Sequence, residues 1–365
     1  MKTFKLAFPI IFVLALISHT NTDACTVFRL QAKDGSILIT RSMEFAVNLH
    51  YQIVVIPQNT PFVSPFLTGT NGMKWNVRNG YVAITSFGLT YGSSEGMNEK
   101  GLAVSCLWFE NTMTWQSATK VDSSIALASG MFADWALGNF STVGEVRDAI
   151  AHIRVFDYTD PASGMSPDLH FIVYDAAGGC IVIEYNYGTY NVYENPLGFM
   201  TNAPDFPYHV TNLRNFIGMN SGNPPNRLQD GLTLNPTGHG AGMWGMPGDI
   251  TPPSRFIRLG IYTLFADQQP GAPGNLNLGQ HIINTFDIPF GMITEPGVNN
   301  TVNKESTQWV SFRDLSNNLF YFRTYDNLTL RKIDLKTIDF TKPGIRIIPM
   351  FSTAQTIVDV SDAGK

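Results

Sequence analysis

Runs of apolar and β-branched residues, broken by turn residues, mark the first strands of the chain. Residues 26–31 and 36–40 are of this kind and meet at Asp34-Gly35, a strong two-residue turn signal, so they predict a β-hairpin. Residues 52–56 and 81–86 predict two further strands. The pattern then lengthens to a helical period. Residues 124–137 are Ala-rich with one apolar face, and Thr142 and Glu145 form a capping box ahead of Val146, Ala149, Ile150 and Ile153, spaced i, i+3, i+4, i+7. Strands return at 170–175, 180–185 and 189–193, separated by Ala177-Gly178-Gly179 and Asn186-Tyr187-Gly188. Pro252, Pro253 and Ser254 open a helix that runs through Ala266, and strands at 308–314 and 319–325 flank Asn317-Asn318. Sheet, helices, sheet, helix, sheet predicts a layered α+β domain. Neither a linker nor a repeat at solenoid period interrupts it.

The first 24 residues follow another logic. Lys2 and Lys5 supply a cationic start, and residues 6–17 form an apolar run shorter than the roughly 20 residues that span a bilayer. A polar stretch then leads to Ala24, a small residue suited to cleavage. This reads as an export signal, residues 1–24, ahead of a domain at 25–365, and it predicts a periplasmic or secreted product. Every later apolar run is interrupted by Gly, Pro, Asn or charge, so no stable membrane span is expected. Removing 24 residues leaves 341 and takes away Lys2, Lys5 and Asp23, so the formal charge moves from −5 to −6.

Composition narrows the class without naming a function. Apolar residues at 44% and charged residues at 15% exclude intrinsic disorder. With 24 Lys+Arg against 29 Asp+Glu, the chain lacks the basic excess of a nucleic-acid binder. Three Cys cannot build a disulfide scaffold.

One of those three changes the picture. Cleavage after Ala24 makes Cys25 the first residue. It could be acylated as in a lipoprotein, though Thr22 and Asp23 do not suit that signal. It could be a thiol at the processing site by chance. It could also be an N-terminal nucleophile, whose own amine serves as base. Cys106 and Cys180 sit in apolar strands and read as buried thiols. Gly92-Ser93-Ser94-Glu95-Gly96 matches the nucleophile-elbow spacing, with Ser94 as the alternative nucleophile, but the helix that should follow is missing. The seven His contain no i, i+4 pair and no Cys at zinc spacing, so neither a metal nor a cofactor is expected. Gly238, Gly240, Gly242, Gly245 and Gly248 make a loop that either faces substrate or merely connects.

At Cys25-Thr26, Asp34-Gly35 and Arg41-Ser42-Met43-Glu44 the sequence resembles the choloylglycine hydrolase family, which holds bile salt hydrolases and penicillin V acylases among the N-terminal nucleophile hydrolases. The likeness continues through Gly96-Met97-Asn98-Glu99-Lys100-Gly101-Leu102, Thr201-Asn202-Ala203-Pro204 and the run from Gly248 to Phe256. The resemblance implies a four-layer αββα sandwich and hydrolysis of linear, non-peptide C–N amide bonds in a small molecule with an apolar acyl group. It implies Cys25 as nucleophile through a thioester, Arg41 and Arg255 as the two site arginines, and Asn202 as the oxyanion donor. Tetramers are common among such relatives. Glu44 stands where the family has Asp to hold the terminal amine. Trp108 stands where bile salt hydrolases have Asn, leaving its backbone N–H to serve the oxyanion hole while the indole favours a flat acyl group. Acyl homoserine lactones, or a ligand merely bound and not cleaved, are the alternatives the same resemblance allows.

Overall fold

The computed structural model describes residues 24–66, 70–297, 301–351 and 354–362; of the stretch 1–24 read above as an export signal, all but Ala24 lies outside them. Two antiparallel sheets carry the fold. The first has the order Phe199–Met200, Cys25–Gln31, Ile37–Phe45, Val302–Asp314, Leu319–Thr324, Asn327–Asp334, with Ile293–Pro296 pairing with the start of Val302–Asp314. The second runs Thr189–Glu194, Cys180–Asn186, Leu169–Tyr174, Ala103–Trp108, Glu95–Asn98, Tyr81–Thr85, Gln52–Ile56, Arg346–Pro349. Helices α1 (Phe132–Asn139) and α2 (Val143–Ile150) cover the second sheet, while α3 (Phe206–Leu213), α4 (Pro252–Phe265) and α5 (Ala272–Asn284) lie on the side of the first. The result is the αββα sandwich.

Two cores follow from these layers. One fills the space between the sheets and beneath α4 and α5, with Phe28, Ile39, Val82, Phe256, Ile283 and Phe312 buried in it. The other lies beneath α1 and α2, around Phe132, Leu137, Val146, Phe171 and Ile183. A strand buried on both faces is normally apolar throughout. Ile37–Phe45 is buried at every position and still carries Arg41, Ser42 and Glu44. Those polar groups need partners on both faces, and the partners build the site.

Local chemistry behaves as its residues dictate. At Asp34-Gly35, Asp34 Oδ1 accepts from Ser36 N at 2.9 Å, and Gly35 takes φ +87°, a backbone region natural to glycine. The capping box forms: Glu145 N donates to Thr142 Oγ1 at 3.2 Å, and Thr142 N donates to Glu145 Oε2 at 3.3 Å. Pro252 and Pro253 occupy the first turn of α4, where a missing N–H costs nothing.

One sequence expectation changes. The helix predicted over 124–137 begins only at Phe132. Before it, Lys120–Ile125 is a 3₁₀ turn and Ala126–Ala128 is a strand pairing in parallel with Arg154–Phe156. Small residues suit such a close-packed strand, and tertiary pairing overrides helix propensity there. As the missing helix signal implies, the Gly92–Gly96 motif enters the strand Glu95–Asn98, so Ser94 sits on no nucleophile elbow. The second Gly of the motif is required by close approach: a Cβ on Gly96 would come within 2.6 Å of Leu137 Cδ1 and 2.8 Å of Val82 O.

Candidate active site

Cys25 opens its strand and is 2% exposed. It pairs across the ladder with Met43, whose Sδ lies 3.6 Å from Cys25 Sγ. Side chains alternate along a strand, so Arg41 projects on the same face as Met43, between the sheets. Arg41 Nη2 lies 3.7 Å from Cys25 Sγ and also donates to Cys106 O at 2.6 Å, while Nη1 donates to Ser94 O at 2.6 Å. Glu95 Oε2 is 3.6 Å from Arg41 Nη1 and 3.4 Å from Arg313 Nη2, with all three side chains fully buried. The Arg41 guanidinium also lies 5.2 Å from the centre of the Trp309 ring. Burial alone would lower the Arg41 pKa. Cys25 and Glu95 outweigh it, and the guanidinium is held above its usual value. Arg313 has the same burial with less compensation and lies below its usual value. A thiol beside a secured cation favours its thiolate form.

The backbone of Cys25 is held from the other side. Its N–H donates to Asn202 Oδ1 at 2.7 Å. Arg255, from α4, donates through Nη1 to Cys25 O and to Thr26 Oγ1, through Nη2 to Asn202 Oδ1 at 2.7 Å, and through Nε to Ile250 O at 2.8 Å. Asn202 Nδ2 donates to Trp108 O at 3.1 Å. Two histidines fix the turn that bears Asn202: His170 Nε2 donates to Thr201 O at 2.9 Å and His209 Nε2 to Asn202 O at 2.8 Å. Burial drives the His209 pKa down to about 4, so it stays neutral.

Glu44 follows Met43, the ladder partner of Cys25, on the same strand. Alternation turns it to the face opposite Arg41, toward α4, where Thr307 Oγ1 donates to its Oε1 at 3.0 Å. Burial raises its pKa to about 8, against the lowering effect of Arg255. The Cys25 N–H is therefore held by Asn202, while Glu44 waits one ladder step away. Trp108 contributes its carbonyl to Asn202, places its indole Nε1 3.4 Å from Glu110 Oε2, and meets Phe45 edge-on at 6.2 Å between ring centres.

Two hollows border this group of residues. A narrow cavity of about 140 Å³ receives the thiol and is walled by Met43, Phe45, Leu49, Tyr51, Phe87 and Trp108 among others. On the other side, a cleft of about 630 Å³ is bordered by Ala24, Trp108, Asn202, Arg255 and the segment Gly248 to Pro252. The end of the Gly-rich loop thus borders the site, whereas Gly238 and Gly240 are exposed. Trp108 borders both hollows.

The structure thus brings Cys25, Arg41, Asn202, Arg255 and Trp108 together, with Glu44 behind them. Sequence reasoning missed Glu95, Arg313, His170, His209 and Glu305. Glu95 was visible only as the fourth residue of a serine motif, and the two histidines had no spacing signal. Cys106 and Cys180 are buried and unpaired, and burial raises the Cys106 thiol to about 12. Among the described residues no cluster of His, Cys, Asp and Glu could hold a metal ion. No helix among them is long and apolar enough to cross a membrane.

Comparison with known proteins agrees with this geometry. A family model described as linear amide C–N hydrolases, choloylglycine hydrolase family, matches residues 25–347. The chain is 29% identical over 314 residues to a bile salt hydrolase/transferase of Clostridium perfringens, covering 85% of this chain and 92% of that protein. It is 25% identical over 344 residues to a penicillin V acylase of Pectobacterium atrosepticum, covering 88% and 83%. The crystal structure of a variant of conjugated bile acid hydrolase from Clostridium perfringens superposes with a TM-score of 0.79 at 27% identity, covering 92% of this chain and 100% of that one.

Proposed function

The chain belongs to the choloylglycine hydrolase family of linear amide C–N hydrolases, and from that premise we propose an exported cysteine amidohydrolase that removes residues 1–24 and works through Cys25. The observation that carries this reading is the Cys25 thiol, 3.7 Å from a fully buried guanidinium and facing an apolar cavity. The thiol proton passes to the α-amine of Cys25, and Sγ forms a bond to the substrate carbonyl carbon. The oxyanion is stabilised by the Asn202 amide and the Trp108 N–H. Strand alternation supports the latter: Cys106 N donates to Ser94 O, and Trp108 N lies two residues on along the same edge, past the end of Glu95–Asn98. The C–N bond breaks, the amine leaves with the proton from the α-ammonium, and water hydrolyses the thioester to a carboxylic acid and the free thiol.

The cavity guides the substrate class. About 140 Å³ is small beside the roughly 300–1,000 Å³ that encloses a drug-sized ligand. With Phe45, Phe87 and Trp108 in its wall it suits a single-ring acyl group, such as the phenoxyacetyl of penicillin V, ahead of a four-ring bile acid. The leaving amine would occupy the wider cleft beside Asn202. An exposed hairpin, Arg227–Gln229 and Leu232–Leu234, presents Leu228, Leu232 and Leu234 to solvent and supports assembly of several copies, with four the number the family suggests.

Intact-mass trapping tests this reading. Brief incubation with penicillin V should add one phenoxyacetyl group to a chain that begins at Cys25. Glycocholate and an acyl homoserine lactone should give lower kcat/KM. Turnover with no acyl adduct, or a lipid on Cys25, would contradict it.

A further inference from the structure

The helix-facing side of the first sheet holds a second buried carboxylate that the sequence did not single out. Glu305 is 0% exposed on the strand Val302–Asp314, two residues from Thr307, so both side chains share one face. Thr307 pairs with Glu44 in the ladder, and continuing the Cys25–Met43 register by one residue sets Ala24 beside Glu44. Glu305 Oε1 accepts from Ala24 N at 3.2 Å. One oxygen of each carboxylate, Glu44 Oε2 and Glu305 Oε2, is buried without a hydrogen-bond partner. Burying an unsatisfied acceptor is costly. Here two lie around one stretch of backbone, with Arg255 as the cation whose charge acts on both.

From this arrangement we infer that Glu305 is a positioning residue for the α-ammonium of Cys25: together with Glu44 it forms a cradle left short of one cation until the Ala24–Cys25 bond is cut. The inference rests on the proposed N-terminal nucleophile. Cleavage removes the Ala24 N–H that Glu305 accepts and gives the nitrogen of Cys25 two further N–H donors and a positive charge. One N–H keeps Asn202 Oδ1, and the others turn to Glu44 and Glu305. In turnover the carboxylates stabilise the ammonium formed when the amine takes the thiol proton, as a buried carboxylate does for a catalytic imidazolium. The groups facing Glu305 are Glu44 from Ile37–Phe45, Glu295 from Ile293–Pro296, and Arg255 from α4. Burial raises Glu305 to about 7 and Glu44 to about 8 while Ala24 is still attached, as expected of carboxyls that lack their cation.

The test uses the full chain, Glu305→Gln and Glu305→Asp, with intact mass identifying uncleaved protein and protein beginning at Cys25. In the cleaved form, Glu305→Gln should lower kcat about tenfold, change KM less than twofold, and move the acid limb of the kcat/KM profile to lower pH. Glu305→Asp should recover part of the loss. A cleaved Glu305→Gln protein with wild-type kcat and an unmoved acid limb overturns the inference. Should Glu305→Gln block cleavage, the uncleaved chain decides. Carboxyls raised in the fold bind protons there more readily than in the unfolded chain, so uncleaved protein loses stability as pH climbs from about 4.5 towards 8. Glu305→Gln should flatten that slope and leave Tm at pH 7.5 equal or higher. A lower Tm means an ordinary structural carboxylate and overturns the inference. Loss of the nucleophile reading itself is seen separately, as turnover that survives Cys25→Ala.

Discussion

The two faces of the strand Ile37–Phe45 carry opposite charge balances within a few ångströms of one cysteine. Between the sheets, Arg41 and Arg313 share a single carboxylate, Glu95. Toward α4, Glu44 and Glu305 share a single guanidinium, Arg255. One face has a cation to spare and receives the Cys25 sulfur; the other has a carboxylate to spare and lies behind the Cys25 nitrogen. Neither imbalance would matter in water. Both faces are buried, and there an uncompensated charge is expensive enough to dictate what ionises beside it. The contrast teaches that one residue can be given a thiolate-favouring and an ammonium-favouring environment at once, provided its two ends point to opposite sides of a sheet.

Removing the residue that joins the faces breaks the comparison most severely. Cys25→Ala should abolish amide hydrolysis in a steady-state assay while the circular dichroism spectrum and Tm stay near wild type; surviving turnover would remove Cys25 from the chemistry. On the cation-rich face, Arg41→Met should slow alkylation of Cys25 by iodoacetamide at pH 7 and lower kcat/KM by about 10²-fold or more, on the scale of losing one stabilising donor. Unchanged alkylation would show that the guanidinium only fills space. Glu95→Gln sharpens the point from the stability side. It leaves two buried guanidiniums without a counter-charge, and breaking such a buried pair costs about 3–5 kcal/mol in denaturant unfolding. Its alkylation rate should hold or rise, since the spare positive charge grows. A stable Glu95→Gln protein with a slower thiol would reverse the reading of that face.

Much of the layout was legible beforehand, because it rests on local chemistry. The Asp34-Gly35 turn, the Thr142/Glu145 cap and the Pro252 helix start are each decided by a few adjacent residues. Arg41 and Glu44 were legible only through the family resemblance, because the predicted strand stopped at Thr40 and the structure carries it on to Phe45. The Ala-rich stretch at 124–137 misled for the complementary reason: alanine is compatible with helix and with close-packed strand, and the parallel partner Arg154–Phe156 chose the strand. Ser94 and Glu95 looked like an esterase motif, yet it is the backbone carbonyl of Ser94 and the carboxylate of Glu95 that reach Arg41.

By itself the sequence placed a thiol directly after a segment that reads as an export signal, and it determined which side chains could accompany that thiol and the layered class of the fold. Those are consequences of residue identity and near-neighbour spacing. Only the tertiary structure decided which face each charge occupies, that His170 and His209 hold the turn bearing Asn202, and that Glu305, 280 positions from Cys25 in the chain, accepts a hydrogen bond from the residue before it. Such partners are chosen by strand order and register, which bring distant segments within hydrogen-bond reach. In a buried, low-dielectric layer, that last contact outweighs any local preference.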